Sequence, residues 1–137
     1  MTYLVDTNVL SEARKPRGDA GVKRWMKTVS GRDLFLSVLV VGEIRQGIER
    51  LRRRNPDQAE VFEVWLGRLR QQYGDRILAV TPAIAEEWGR LNVPHPLPAV
   101  DALLAATAKV HGLTLVTRNT ADLRRTGAKL LNPFAGS

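Results

Sequence analysis

Thr2-Tyr3-Leu4-Val5-Asp6-Thr7-Asn8 is the stretch on which the fold of this chain turns. Tyr3, Leu4 and Val5 read as a short buried strand, and the run stops on a carboxylate followed by small polar residues. Asp6 is thereby placed at the C-terminal edge of a strand. In open α/β sheets that edge is where ligands bind. The rest of the chain is read outward from this point, asking which other segments end at the same rim.

Short apolar runs alternate with helical patterns along the whole chain. Val22, Trp25, Met26 and Val29 fall at helical spacing, and Leu34-Phe35-Leu36-Ser37 reads as a second strand. A helix over about 40–53 follows, with Val41, Ile44, Ile48 and Leu51 as its apolar stripe. Asn55-Pro56 breaks it, and Asp57 with Glu60 resembles a capping box opening the next helix. Phe62, Trp65, Leu66, Leu69 and Tyr73 carry that helix along one face, so two paired helices form a hairpin. Ile77 to Val80 is a third strand. Thr81 then caps a helix with Pro82 in its first position and Ile84, Trp88 and Leu91 on its buried side. Pro94, Pro96 and Pro98 make a turn. The segment Ala99 to Val110 is apolar nearly all round, as in a deeply buried helix, and Gly112 ends it. Leu113 to Thr117 is a fourth strand, and a short helix and a strand near Lys129-Leu130-Leu131 close the chain. The alternation predicts an α/β fold, a central parallel sheet of four to five strands flanked by helices, in a single domain over 1–137.

Composition narrows the chemistry. The 137 residues are 44% hydrophobic and 26% charged, which fits one ordinary globular domain. There is no cysteine, so disulfides, thiolate metal sites and cysteine nucleophiles are excluded. The start lacks the basic and apolar regions of a signal peptide, and no run approaches the roughly 20 apolar residues of a membrane span. A cytoplasmic protein with no membrane role is expected. Lys and Arg number 21 against 14 Asp and Glu, a net charge of +7. A basic surface of this kind suits a polyanion, nucleic acid first, although a solvated basic surface explains it equally well.

The carboxylates that could join Asp6 follow from the pattern. Glu43 lies in the first turns of the helix after the second strand, and Gly47 at i+4 leaves space beside it. Asp101 opens the buried helix as the only acidic residue between Glu87 and Asp122, with Ala105 and Ala108 keeping its face shallow. Each could instead be a helix-start acid favoured by the dipole. Thr117-Arg118-Asn119-Thr120-Ala121-Asp122 ends the fourth strand at the same rim, where Asp122 either adds a charge or belongs to a capped turn. Carboxylates gathered at one rim repel unless a cation shares them. Oxygen donors suit Mg²⁺ or Mn²⁺; His95 and His111 are isolated, so a zinc site is not expected.

These residues resemble the PIN domain, and within it the VapC and FitB toxins of bacterial type II toxin–antitoxin pairs. The resemblance rests on Leu4 to Glu12, Leu36-Ser37 to Val41-Gly42-Glu43-Ile44 and Gly47, Asp101 to Ala108, Leu115 to Asn119 with Asp122, and Leu131-Asn132-Pro133-Phe134. It implies a PIN-like three-layer fold and a metal-dependent endoribonuclease. Asp6, Glu43 and Asp101 would be the acidic ligands of Mg²⁺ or Mn²⁺, and Asp122 a further catalytic acid. Asn119 occupies the family's fourth acidic slot, a departure that removes one charge. Asn8, Ser37, Thr117 and Asn119 would orient carboxylates or waters. Arg118 would meet the RNA phosphate. Arg50, Arg52, Arg53 and Arg54 either track the RNA backbone or complement a helix C-terminus.

The implied partners are an RNA substrate, a cognate antitoxin of the VapB or FitA type, promoter DNA through that antitoxin, and a second copy in a homodimer. Trp25, Trp65 and Trp88 either line an antitoxin groove or pack the core. Two rival readings stand beside this one. A catalytically weak PIN subunit of a DNA-binding regulatory complex draws on Asn119. A phosphotransferase of the haloacid dehalogenase type wants Asp-x-Asp after the first strand, and position 8 is Asn.

Overall fold

The computed structural model describes residues 1–136. Its elements run β1 (Tyr3–Val5), α1 (Thr7–Arg14), α2 (Ala20–Thr28), β2 (Leu34–Ser37), α3 (Val38–Arg52), α4 (Pro56–Tyr73), β3 (Ile77–Leu78), α5 (Pro82–Leu91), α6 (Ala99–His111), β4 (Thr114–Val116), α7 (Thr120–Leu123) and β5 (Lys129–Leu131). The sheet has five parallel strands in the order β3-β2-β1-β4-β5. The chain lays β2 and β3 to one side of β1, then crosses to lay β4 and β5 on the other. Strand order therefore reverses at β1, and the crevice at its carboxyl end is where such sheets take ligands. Asp6 is the residue at that point.

Burial on both faces explains the unbroken apolar strands. Leu4, Val5, Leu36, Leu115 and Val116 are fully buried. Val40, Ile44 and Ile48 of α3 and Leu104, Ala105 and Ala108 of α6 close over them. The α3–α4 hairpin joins the same core through Leu66, Leu69 and Tyr73. It is laced outside by Arg45 Nη2 on Glu63 Oε2 at 2.6 Å and Arg52 Nη2 on Glu63 Oε1 at 2.9 Å. No helix is long and apolar enough to cross a membrane among the described residues.

Several local expectations shift. Helix α4 is capped by Asn55, whose side chain accepts from Gln58 N, with Pro56 in the first turn. The Asp57–Glu60 capping box is therefore wrong: the break and the start are one device, since proline needs no hydrogen-bond acceptor there. Strand β3 stops at Leu78, leaving Ala79 and Val80 exposed at the sheet edge, and β4 is shortened to Thr114–Val116. Trp88 is exposed at 36% rather than part of the buried side of α5. Thr81 and Gly112 behave as expected, the latter at φ 68°. Helix α1, which starts immediately after Asp6, is an addition.

Candidate functional site

Asp6 is 9% exposed, and both carboxylate oxygens are engaged. Oδ1 accepts from Thr7 N at 2.7 Å, and Oδ2 accepts from Thr117 Oγ1 at 2.8 Å. The neighbouring strand also takes the Asp6 backbone, whose N–H donates to Val116 O at 3.0 Å. The side chain is thus fixed from two sides: by the helix that it caps and by the end of β4. Burial pushes its pKa up, Thr117 and Thr7 pull against that, and the charges of Glu43 and Asp101 push it up further. The charges of Glu43 and Asp101 thus reach Asp6, though more weakly than burial does.

Glu43 reaches the rim from the second turn of α3. Its Oε1 accepts from Thr7 Oγ1 at 2.6 Å, so Thr7 bridges Asp6 and Glu43, one by its N–H and one by its hydroxyl. A Cβ on Gly47 would meet nothing within 4 Å, so space does stand open beside the carboxylate. A groove of about 270 Å³ occupies it, lined by Thr7, Glu43, Gly47, Arg54, Phe62 and Trp65 among others. Ser37 lies one step back: its Oγ accepts from Leu39 N at 3.0 Å and caps the helix that presents Glu43.

Asp101 stands in the first turn of α6, a helix whose start has no side-chain cap. Its Oδ2 accepts from Asn119 Nδ2 at 3.1 Å, so a carboxylate at the helix start also turns toward the residues that follow β4. Asn119 N in turn donates to Thr117 Oγ1 at 3.2 Å. One hydroxyl therefore joins the Asp6 side and the Asp101 side of the site. An asparagine in this slot donates to Asp101, where an aspartate would repel it.

Other sequence candidates fall further out. Asp122 is exposed in the first turn of α7, and the charges that bear on Asp6 are those of Glu43 and Asp101. Asn8 is exposed on α1. Arg118 is exposed next to Thr117, its Cζ 4.9 Å from the centroid of the Phe134 ring. Arg52 is engaged in the hairpin, whereas Arg50, Arg53 and Arg54 are exposed. Trp25 meets Tyr3 edge-on at 5.2 Å, and Trp65 packs at the groove wall with Arg14 over its ring. Thr7 is the residue that sequence reasoning missed. Its signal was its place as the first residue after a strand-end Asp, where both its N–H and its hydroxyl face the rim.

Among the described residues, no three His, Cys, Asp or Glu side chains are gathered closely enough to hold a metal ion as they stand. The donor chemistry nonetheless fits a hard cation. Glu43 Oε2 and Asp101 Oδ1 accept no hydrogen bond among the described residues, both are hard carboxylate oxygens, and Asp6 carries a charge penalty that a cation would relieve.

A five-stranded parallel sheet with a buried carboxylate at its switch point, steadied by threonine, and with Glu43 and Asp101 on the helices beside it, defines an α/β domain with an acidic rim. The chain belongs to the PIN domain family, whose model matches residues 3–129. It is 30% identical to Toxin FitB of Neisseria gonorrhoeae over 140 residues, covering 96% of this chain and 97% of that protein. It is 31% identical to VapC ribonuclease Y4jK of Sinorhizobium fredii, covering 96% of each. The crystal structure of FitAcB from Neisseria gonorrhoeae matches with a TM-score of 0.88 at 29% identity, covering 96% of this chain and 98% of that one. A structure of FitAB bound to an IR36 DNA fragment matches at 0.87 and 28% identity, covering 96% and 95%.

Proposed function

We propose that this chain is the toxin of a type II toxin–antitoxin pair and acts as an endoribonuclease dependent on Mg²⁺ or Mn²⁺. The observation that carries the reading is Asp6, a buried carboxylate at the switch point with Glu43 and Asp101 bearing on it. Resemblance to proteins named FitB and VapC ribonuclease supports it. Asp6, Glu43 and Asp101 would hold the cation, which would supply acidification of a water and neutralisation of charge on the phosphate. Thr117 and the Thr7 N–H keep the Asp6 carboxylate aimed, Thr7 Oγ1 steadies Glu43, and Asn119 steadies Asp101. In the reaction the water oxygen bonds to phosphorus while the bond to the 3′ oxygen breaks. The products carry a 5′-phosphate and a 3′-hydroxyl, the latter taking up a proton. Arg118, exposed beside Thr117, meets the phosphate.

An antitoxin of the FitA or VapB type would cover the groove beside Glu43, the pair would meet promoter DNA through the antitoxin, and the toxin would dimerise. Asp122 would add charge from the rim, and Asn8 would act from α1. The test is RNA cleavage by purified protein with Mn²⁺, with chelator, and as Asp6→Asn. Cleavage that needs the metal and is lost in the variant supports the reading. Equal cleavage by the variant overturns the site assignment. A second reading draws on the DNA-bound FitAB structure: a catalytically weak subunit working in a DNA-binding regulatory complex. Absence of metal-dependent cleavage, together with operator binding in the presence of the antitoxin, favours that one.

A further inference from the structure

We propose that Phe134 is a positioning residue for Arg118, holding its guanidinium over the ring so that it meets a phosphate of single-stranded RNA. This rests on the ribonuclease reading. The observations lie in the segment after β5. Arg118 Cζ stands 4.9 Å from the Phe134 ring centroid, and Phe134 is itself 8% exposed, so the ring is a fixed platform. Within the segment Asn132 Oδ1 accepts from Phe134 N at 3.0 Å. Two contacts hold it to the start of α2: Asp19 Oδ2 accepts from Ala135 N at 2.9 Å, and from Val22 N at 3.0 Å, and Gly21 approaches so closely that a Cβ there would come within 2.3 Å of Pro133 O. Helix α2 and the closing segment are therefore locked together, and Arg118 lies against them.

Arg118 also follows directly on Thr117, whose hydroxyl steadies Asp6, so a fixed Arg118 fixes a cation one residue from the acidic site. A free arginine would give up side-chain entropy on each encounter with a phosphate; stacking reduces that cost in advance. The same segment borders an open groove of about 460 Å³ with Phe134, Arg24 and Trp25 on it.

A double-mutant cycle tests this, measured as binding of a labelled single-stranded RNA oligonucleotide in an Asp6→Asn background that prevents cutting. Arg118→Ala should weaken binding about tenfold, the scale of one charge-assisted contact, and flatten the salt dependence by roughly 0.7 in log–log slope. Phe134→Leu should reproduce a good part of that loss and the same change of slope. The double variant should bind no worse than Arg118→Ala alone, and Phe134→Tyr, which keeps the ring, should bind like the parent. Losses that simply add, or an unchanged salt slope in Phe134→Leu, overturn the proposal. If Phe134→Leu fails to fold, Arg118→Lys replaces it. Lysine keeps the charge without the plane, so binding equal to the parent overturns the stacked arrangement. Cleavage by the wild-type chain with Mn²⁺ is scored separately. Cleavage with additive losses leaves the ribonuclease reading standing and removes this inference; coupling without cleavage does the reverse. A parent that binds no RNA removes both.

Discussion

Thr117→Val replaces a hydroxyl by a methyl of nearly the same volume and breaks two hydrogen bonds at the centre of the site. Asp6 Oδ2 loses its 2.8 Å donor, and Asn119 N loses its 3.2 Å acceptor. A hydrogen bond to a charged group contributes about 1.5–3 kcal/mol, and a half-buried neutral one about 0.5–1 kcal/mol. The variant should lose about 2–4 kcal/mol at neutral pH. At roughly 3–4 °C per kcal/mol for a domain of this size, Tm should fall by about 6–16 °C. The loss has a pH signature. The Thr117 bond pulls the Asp6 pKa down against burial, so removing it moves the folded pKa further up from 3.8. The charge-dependent part of the loss is then fully present above the variant's folded pKa. It shrinks as pH falls and is gone below the wild-type folded pKa, itself above 3.8, where Asp6 is protonated in both folded proteins. Thermal melts from pH 3 to 8 on wild type, Thr117→Val and Thr117→Ser check it, serine restoring the hydroxyl. On the proposed reading Mn²⁺ affinity should also fall about 10–100-fold. A Tm gap that is absent, or flat with pH, would refute the claim that this hydroxyl steadies a charged Asp6.

Other expectations follow from the same contacts. Asp6→Asn relieves the burial and repulsion that raise the Asp6 pKa, so it should melt no lower than wild type without metal. It should also lose any Mn²⁺-induced rise in Tm, which for wild type at a hundredfold excess over Kd amounts to about 2.7 kcal/mol. Asn119→Asp exchanges a donor to Asp101 for a like charge. It should lower Tm in chelator and tighten metal binding, read by melts and by titration calorimetry. Leu104→Ala empties a 1% exposed position of α6 and should cost about 2–5 kcal/mol in denaturant unfolding. Glu87 is held below the usual carboxylate range, first by Lys109. Its stabilisation is present above its unfolded value of 4.5 and is lost as pH falls through the folded pKa, so Glu87→Gln should flatten the acid limb of the Tm profile.

The central strands were readable because β1, β2 and β4 are short, largely apolar and deeply buried runs, and Asp6 stood out because it directly follows one. Helix α1 was not readable, for its first two residues, Thr7 and Asn8, favour caps and turns over helix interiors. It exists because Asp6 caps it and Val9 and Leu10 are buried. The Asp57–Glu60 box looked right by spacing, but Asn55 had already capped the helix two residues earlier. Glu43 and Asp101 were legible only as residues near strand ends. Which of their oxygens were engaged, and by Thr7 or Asn119, depends on contacts between residues 36 and 18 positions apart. No periodicity encodes those.

The site and the core share the same few groups, and this ties stability to the proposed activity. Thr117 follows β4 and steadies Asp6; Asp6 follows β1 and caps α1; Ser37 ends β2 and caps the helix that carries Glu43. Each contact that aims a carboxylate also closes a strand-to-helix turn. A variant that misaims the site will therefore loosen a turn as well, and activity losses at Thr117 or Ser37 cannot be assigned to chemistry without a melt beside them. Asn119 and Thr7 differ in this respect. The Asn119 side chain does not cap its own helix, and the Thr7 hydroxyl serves Glu43 alone. Asn119→Ala and Thr7→Val are thus the cleaner probes. If the rim is a cation site, both should lower metal affinity by more than they lower Tm. If the carboxylates only close turns, affinity and Tm should fall together or neither should move.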